Sequence, residues 1–244
     1  MLVGVDIGGT FTDLVLSNNG QLHIHKLAST PHNPAEAMLN GIQAIAQDIN
    51  AIQQIAHGST VATNAILERA GAKTALITTQ GFRDILFIGR QTRPDLYALQ
   101  PSIPPPLIPR DLCYEVPERL DYRGDVLHPL DLDALDTIIQ QLVAQNVSAV
   151  AVCLLYSFVN PQHEQAIRDR IVAQTALADW QIALSSDVLP EFREYERAST
   201  TALEAYVRPV MVNYVRQLSD TLPQHIPLRI MKSDGGVMTA QRVA

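Results

Sequence analysis

Apolar positions along the chain follow two periods. Near the start, Leu2–Ile7 is an apolar run, and Thr12–Leu16 and Gln21–Leu27 read as two further strands. A turn at Asn18-Asn19-Gly20, whose residues tolerate positive φ, separates the last two. Three short strands in succession predict an antiparallel opening unit. Asn33-Pro34 then reads as a cap residue and a first-position proline, and Ala35, Met38, Ile42, Ile45 and Ile49 recur at spacings of three and four, the stripe of an amphipathic helix.

Strand and helix patterns alternate from there. Ile52–Ala56 is apolar, a helix opens near Ser59 or Thr60, Lys73–Thr78 is rich in strand formers, and Gly81–Gly89 reads as helical. Residues 94–109 carry six prolines, too many for a helix or an interior strand, so an extended crossing segment is expected there. Beyond it come a helix at Asp131–Ala144, a strand at Val147–Leu155, a helix at Pro161–Gln174 capped by Asn160, and a strand at Trp180–Ser185. A long helix through Glu191–Leu218, a strand at Leu228–Lys232 and a helix start capped by Thr239 follow. The alternation predicts a layered α/β fold. Its expected parts are a hairpin and α/β unit over 1–93, a proline-rich crossing at 94–110 and a second α/β unit over 111–244.

Composition narrows the class. Of the 244 residues, 47% are apolar and 18% charged, an ordinary globular balance that excludes disordered and disulfide-framework chains. The net charge of −7, with no basic stripe, argues against a nucleic-acid partner. The longest apolar run is the octapeptide Ala149–Tyr156, against ~20 residues for a membrane-spanning helix, so no membrane association is expected. No basic segment leads into an apolar stretch at the amino terminus. Cys113 and Cys153 are isolated thiols that suit a reducing compartment, so the expected location is cytoplasmic.

The strongest local signal is Val5-Asp6-Ile7-Gly8-Gly9-Thr10-Phe11-Thr12-Asp13. Paired glycines permit positive φ and close approach, so the amides of Gly8, Gly9 and Thr10 can face one concavity and hold phosphate oxygens, with the hydroxyls of Thr10 and Thr12 as added donors. A lysine after the glycines and a following helix, which a P-loop requires, are both missing. Asp6 beside phosphates calls for a cation, and Mg²⁺ held through water suits it, with Asp13 as the other carboxylate. The structural alternative is a tight turn whose polar groups serve the local backbone.

The hairpin-borne Asp-x-Gly-Gly-Thr resembles the first phosphate loop of the actin, Hsp70 and sugar-kinase superfamily. Three further stretches narrow the likeness: His57-Gly58-Ser59-Thr60-Val61-Ala62-Thr63-Asn64-Ala65, the span Gly81-Phe82-Arg83-Asp84 to Gly89-Arg90-Gln91, and Leu189-Pro190-Glu191-Phe192-Arg193-Glu194-Tyr195-Glu196-Arg197. With the hairpin, they resemble the hydantoinase/5-oxoprolinase family, which includes acetone carboxylase β subunits. Ser59 stands where that family more often has threonine.

The resemblance implies an actin-like (ribonuclease H-like) ATPase amino-terminal lobe with an additional α/β subdomain. It implies an ATP- and Mg²⁺-dependent hydrolase that opens a cyclic amide by phosphorylating its carbonyl oxygen. A ketone-phosphorylating subunit and a non-catalytic, nucleotide-dependent assembly domain are the alternatives. Relatives are typically longer, so the chain reads as an amino-terminal portion, inactive alone. The remaining polypeptide would bring a second phosphate loop, of which Asp234-Gly235-Gly236-Val237-Met238-Thr239 is a faint echo. A second, hydantoinase B-like subunit or domain and an oligomeric full-length form are implied partners.

Under that reading Asp6 and Asp13 serve catalysis, and His57, Thr60, Thr63, Asn64, Glu194 and Arg197 become candidates for the substrate side. N-capping at Ser59 or Thr60 and a solvated charged face over Glu191–Arg197 are the structural alternatives. Arg83, Arg90 and Arg93 could grip a carboxylate, although surface solvation explains each of them as well. Arg123-Gly124-Asp125 reads as a turn. The seven histidines show no zinc-ligand spacing, and no nucleophile-elbow motif supports a serine triad.

Overall fold

Leu2–Ile7 (β1) and Phe11–Asn18 (β2) pair antiparallel from Leu2↔Ser17 to Ile7↔Thr12, and Gln21–Ala28 (β3) extends the meander on β2. The alternation puts Val3, Val5, Ile7, Thr12, Leu14 and Leu16 on one buried face. Pro34–Ile45 (α1) packs there through Met38 and Ile42. Asn33 takes the cap position without a side-chain bond; the Thr30 hydroxyl accepts from the Ala37 amide instead. Gln54–Ser59 (β4) then pairs parallel to β1, and Val61–Leu67 (α2) follows it. The structure, a computed structural model, describes residues 1–30, 33–46, 48–92, 96, 97, 99, 100, 104–232 and 234–242.

A second sheet is built from the middle of the chain. Thr74–Thr79 (β5), buried at every position, is followed by the four-residue Ile85–Ile88 (α3), so the helix expected over 81–89 is one turn. Cys113–Val116 (β6) lies parallel on one side of β5, and Arg119–Leu120 (β7) and Val126–His128 (β8) form a small antiparallel ribbon. Its turn is Arg123-Gly124-Asp125, where Gly124 has φ 86° and Asp121 accepts from the Arg123 and Asp125 amides. Leu132–Ala144 (α4) begins at Asp131, whose carboxylate accepts from the next two amides but one. Ala149–Cys153 (β9), Gln162–Gln174 (α5), Ile182–Leu184 (β10) and Ser185–Val188 (α6) complete this layer. The strand order is β10-β9-β5-β6, all parallel.

Glu194–Thr221 (α7) starts three residues later than the charge pattern predicts, because Arg193 takes a left-handed φ of 79° and ends the preceding turn. Pro209 inside it has no N–H to give to the carbonyl four residues back. Leu228–Met231 (β11) then pairs parallel to β4, with Val237–Thr239 (β12) antiparallel at the edge. A short 3-10 turn at Ala240–Arg242 stands where a helix start was expected. The first sheet is thus β12-β11-β4-β1-β2-β3. An antiparallel meander continued by parallel strands is the ribonuclease H-like arrangement expected of an actin-like lobe.

Packing divides the chain into two units. Residues 1–68 with 210–244 form the first, and residues 69–209 form the second. The described part of the proline-rich segment lies within the second. The first unit's core combines β1, β2 and α1 with Tyr214, Val215, Leu218 and Leu222. The second has its own core, in which β5, β9 and β10 are covered by Leu135 and Ile139 of α4, Ile167 and Ile171 of α5, and Ala198 and Ala202 of α7. No described helix is long and apolar enough to cross a membrane.

Candidate functional site

The turn between β1 and β2 is tied at its base and open at its tip. The Gly8 amide donates to the Phe11 carbonyl at 3.0 Å, the Ser29 hydroxyl to the Gly8 carbonyl at 2.7 Å, and the Ser29 amide to the Thr10 carbonyl at 3.0 Å. Neither Gly8 nor Gly9 adopts positive φ, so the glycines serve space and not handedness. A Cβ on Gly8 would stand 3.1 Å from the Phe11 carbonyl, whereas a Cβ on Gly9 would meet nothing within 4 Å. Gly9 and Thr10 are exposed. The tip is open backbone with space beside Gly9.

Thr12 does not join that opening. Strand alternation puts it on the core face, fully buried, with its hydroxyl 2.9 Å from that of Ser29, so the expectation of a phosphate donor gives way to a brace beneath the turn. Asp6 and Asp13 are directly opposite each other on the outer face, Asp6 exposed and Asp13 paired with Lys26 at 3.0 Å. Like charges in that position repel, and Lys26 offsets one of them. Asp6 also lies opposite Gly58 of β4, whose missing side chain leaves the carboxylate clear.

His57 is fully buried under this corner and so does not line a cleft. Its Nδ1 is 3.2 Å from the Val5 carbonyl and its Nε2 2.6 Å from the Tyr214 hydroxyl. A carbonyl only accepts, so Nδ1 carries the proton and Nε2 accepts from Tyr214. Burial holds the imidazole below its ordinary pKa, which the Val5 bond and Asp6 partly offset, and pushes the Tyr214 phenol up to about 12. The Ser59 side chain partly offsets that rise. The chain Tyr214–His57–Val5 therefore ties β4 to β1 from below.

The register Ile7↔Ser59 sets the start of α2 beside the turn. The Ser59 hydroxyl accepts from the Val61 amide at 3.2 Å, which is the capping expected, while Thr60 accepts from Asn64 at 3.4 Å. Thr60 and Thr63 are exposed and Asn64 is half-buried. Ser29 and Tyr214, the residues that hold this site, were not anticipated; they lie 21 residues from Gly8 and 157 from His57, and no local pattern marks them.

Glu194 and Arg197 belong to the second unit. Glu194 is exposed, but Arg197 is buried to 1%, a charge taken out of water and not a solvated face. Its Nη2 donates to the Leu154 carbonyl at 2.9 Å and to the Ser157 and Ser185 hydroxyls, and Glu164 lies 3.9 Å away. Arg90 is paired with Glu196 and Arg83 donates to the Arg110 carbonyl; Arg93 lies outside the described residues. Cys113 and Cys153 are free and buried, their thiols pushed up to about 11 and 12 by burial, so neither is a ready nucleophile. The Asp234-Gly235-Gly236 echo forms the β11–β12 turn, closed by the Lys232 amide on the Gly236 carbonyl and by the Asp234 carboxylate on the Gly236 amide.

Known proteins share this fold. The model of the hydantoinase/oxoprolinase N-terminal region matches residues 2–174, and the hydantoinase/oxoprolinase model matches residues 197–244. Caprolactamase subunit alpha of Pseudomonas jessenii is 35% identical over 249 residues, covering 96% of this chain and 36% of that one. The acetophenone carboxylase gamma subunit of Aromatoleum aromaticum is 35% identical over 239 residues, covering 90% and 33%. The crystal structure of the ATP-dependent caprolactamase from Pseudomonas jessenii superposes with a TM-score of 0.85 at 32% identity, covering 97% of this chain and 36% of that one. The chain spans about a third of the length of these relatives. With its sheet order, its hairpin turn and both family models in agreement, the chain belongs to the hydantoinase/oxoprolinase family.

Proposed function

We propose that this chain forms the phosphate-gripping part of an ATP-dependent enzyme that opens a cyclic amide. The observation that carries the reading is the exposed Gly9-Thr10 tip, braced by Ser29 and flanked by the exposed carboxylate of Asp6. The similarity to an ATP-dependent caprolactamase supports it. Bound ATP with Mg²⁺ would supply a phosphoryl group for the amide carbonyl oxygen, so that water can add to the ring carbon, the ring C–N bond breaks with the nitrogen leaving as a protonated amine, and hydrolysis of the acyl phosphate gives the carboxylate and phosphate.

The chain's own groups do the rest by position and charge. The amides of Gly9 and Thr10 and the Thr10 hydroxyl hold phosphate oxygens, while the Gly8 amide, expected to join them, is spent on the Phe11 carbonyl. Asp6 holds Mg²⁺ through water, Asp13 and Lys26 set the field beside it, and Thr60, Thr63 and Asn64 at the start of α2 serve the substrate side. His57 and Tyr214 act through the backbone they fix. The 244 residues alone bind the nucleotide weakly and turn over no substrate; the active assembly is oligomeric and includes a second subunit or domain, in line with the subunit names of the relatives. The similarity to an acetophenone carboxylase subunit favours one alternative, phosphorylation of a ketone for a partner to carboxylate.

Calorimetric titration of Mg²⁺-ATP tests the grip. Gly9→Val puts bulk into the open space at the tip, where an added Cβ meets nothing within 4 Å, so it should keep the circular dichroism of the parent and weaken binding about tenfold or more, the loss of one or two charge-assisted hydrogen bonds. Unchanged affinity in that variant would refute the assignment.

A further inference from the structure

β3 differs from the other sheet edges. The first sheet ends in β3 on one side and in the three-residue β12 on the other, and the second ends in β6 and β10, of four and three residues. Edges that short offer little to pair with. β3 runs for eight residues, pairs with β2 at every one of them, and contains neither a proline nor a register shift.

Its two rows of main-chain groups can be assigned residue by residue. In an antiparallel pair, alternate residues turn both N–H and C=O to the partner strand. At one end the Ser29 amide bonds the Thr10 carbonyl; at the other the turn at Asn19-Gly20, with φ of 48° and 82°, closes between Asn18 and Gln21. Both ends give the same parity. Gln21, His23, His25 and Leu27 bond β2, and Leu22, Ile24, Lys26 and Ala28 turn their N–H and C=O groups to the free edge. The side chains of this second set share the outer face with Asp13 and Val15, opposite the face that α1 covers. Leu22 is 67% and Ile24 76% exposed, so bare apolar side chains and free main-chain groups fall on the same residues. Charge does not guard this edge. A lysine is a common device against edge pairing, and Lys26 is the one Lys, Arg, Asp or Glu on β3, but it lies 3.0 Å from Asp13 of β2 and is balanced there. With no net charge to select a foreign strand, the strand itself is the complement. An antiparallel twofold brings each copy's free N–H groups to the other's free C=O groups.

We propose that β3 pairs antiparallel with β3 of a second copy of this chain, joining the two six-stranded sheets into one. Only registers that match the free rows are allowed. The one that sets Ile24 against its own counterpart on the twofold axis keeps the two lysines apart, each facing Leu22 of the other copy. This pairing is independent of the nucleotide and substrate readings.

The test measures mass by sedimentation and amide exchange by NMR over a concentration series of the 244-residue chain, up to about 1 mM, where even a millimolar Kd shows. A dimer is expected, in which the Ile24 and Lys26 amides exchange about tenfold or more slower than in the dilute monomer, while those of His23 and His25 keep their protection. Ile24→Pro removes an N–H that β2 does not use, and Ile24→Lys adds an unbalanced charge at the same exposed position. Each should keep the circular dichroism of the parent and raise the Kd about tenfold or more, the loss of main-chain bonds and an apolar contact. If Ile24→Pro fails to fold, Ile24→Lys decides. A chain that stays monomeric throughout would overturn the pairing. So would a dimer whose Ile24 and Lys26 amides exchange as in the monomer, or one that Ile24→Lys leaves intact, since both put the contact elsewhere.

Discussion

At the scale of single residues, the site is made by what is left out as much as by what is present. Gly9 and Gly58 leave room around the turn and Asp6, while Ser29, Thr12 and His57 fill the space below. His57 carries a pH dependence with a definite sign. Burial holds its folded pKa below the ordinary 6.5, so below pH 6.5 the unfolded chain takes up a proton that the folded chain refuses. Its contribution is complete above 6.5 and is lost as the pH falls towards the folded value. Urea midpoints should therefore fall between about pH 7.5 and 5.5, and fall less steeply in His57→Gln; identical slopes would remove this histidine as the cause. The Asp6 to Asp13 motif could be read directly from the sequence because its residues are contiguous. Thr12 was misjudged because a hydroxyl near glycines says nothing about which face of a strand it occupies. Ser29 and Tyr214 were invisible because their partners are distant in the chain.

Elements with a strong period were legible: β1, α1, α4, α5 and most of α7 lie where the apolar spacing puts them. The short ones were not. β6 follows a proline-rich stretch, β7 and β8 are two and three residues long, and α6 is a single turn, so none spans enough residues to show a period. α1 shows how an element is placed once it forms. Gly41 lies on its buried side, where an added Cβ would stand 2.3 and 2.9 Å from the two methyl groups of Leu14, itself fully buried in β2. Alanine gains about 1 kcal/mol in helix propensity over glycine, whereas overpacking a core costs about 1–3 kcal/mol. Gly41→Ala should accordingly lower the melting temperature, and a higher one would show that Leu14 yields freely.

For the molecule as a whole, the decisive fact is that the first unit is assembled from both ends of the chain and the second from its middle. A sequence read in order has no means of showing this, since the closing residues Tyr214, Leu218 and Ile230 look like any other apolar positions. The division predicts unequal fragments. Residues 69–209 contain the whole of their own core and should unfold cooperatively when expressed alone. Residues 1–68 lack the α7 and β11 contribution and should show no cooperative transition, by circular dichroism in urea. The reverse pattern would reject the division.

That same discontinuity sets a timetable on the ribosome. The strand bearing Asp6 leaves the exit tunnel before residues 69–209 are made, but the last part of its unit, residues 210–244, follows more than a hundred and forty residues after residue 68. At ~5–20 residues per second, the intervening unit has several seconds to fold while the meander and α1 wait for Tyr214, Val215 and Leu218 to complete their core. Nascent chains of this protein should be most vulnerable to aggregation in that interval, and a trigger-factor-like holdase has its clearest target there.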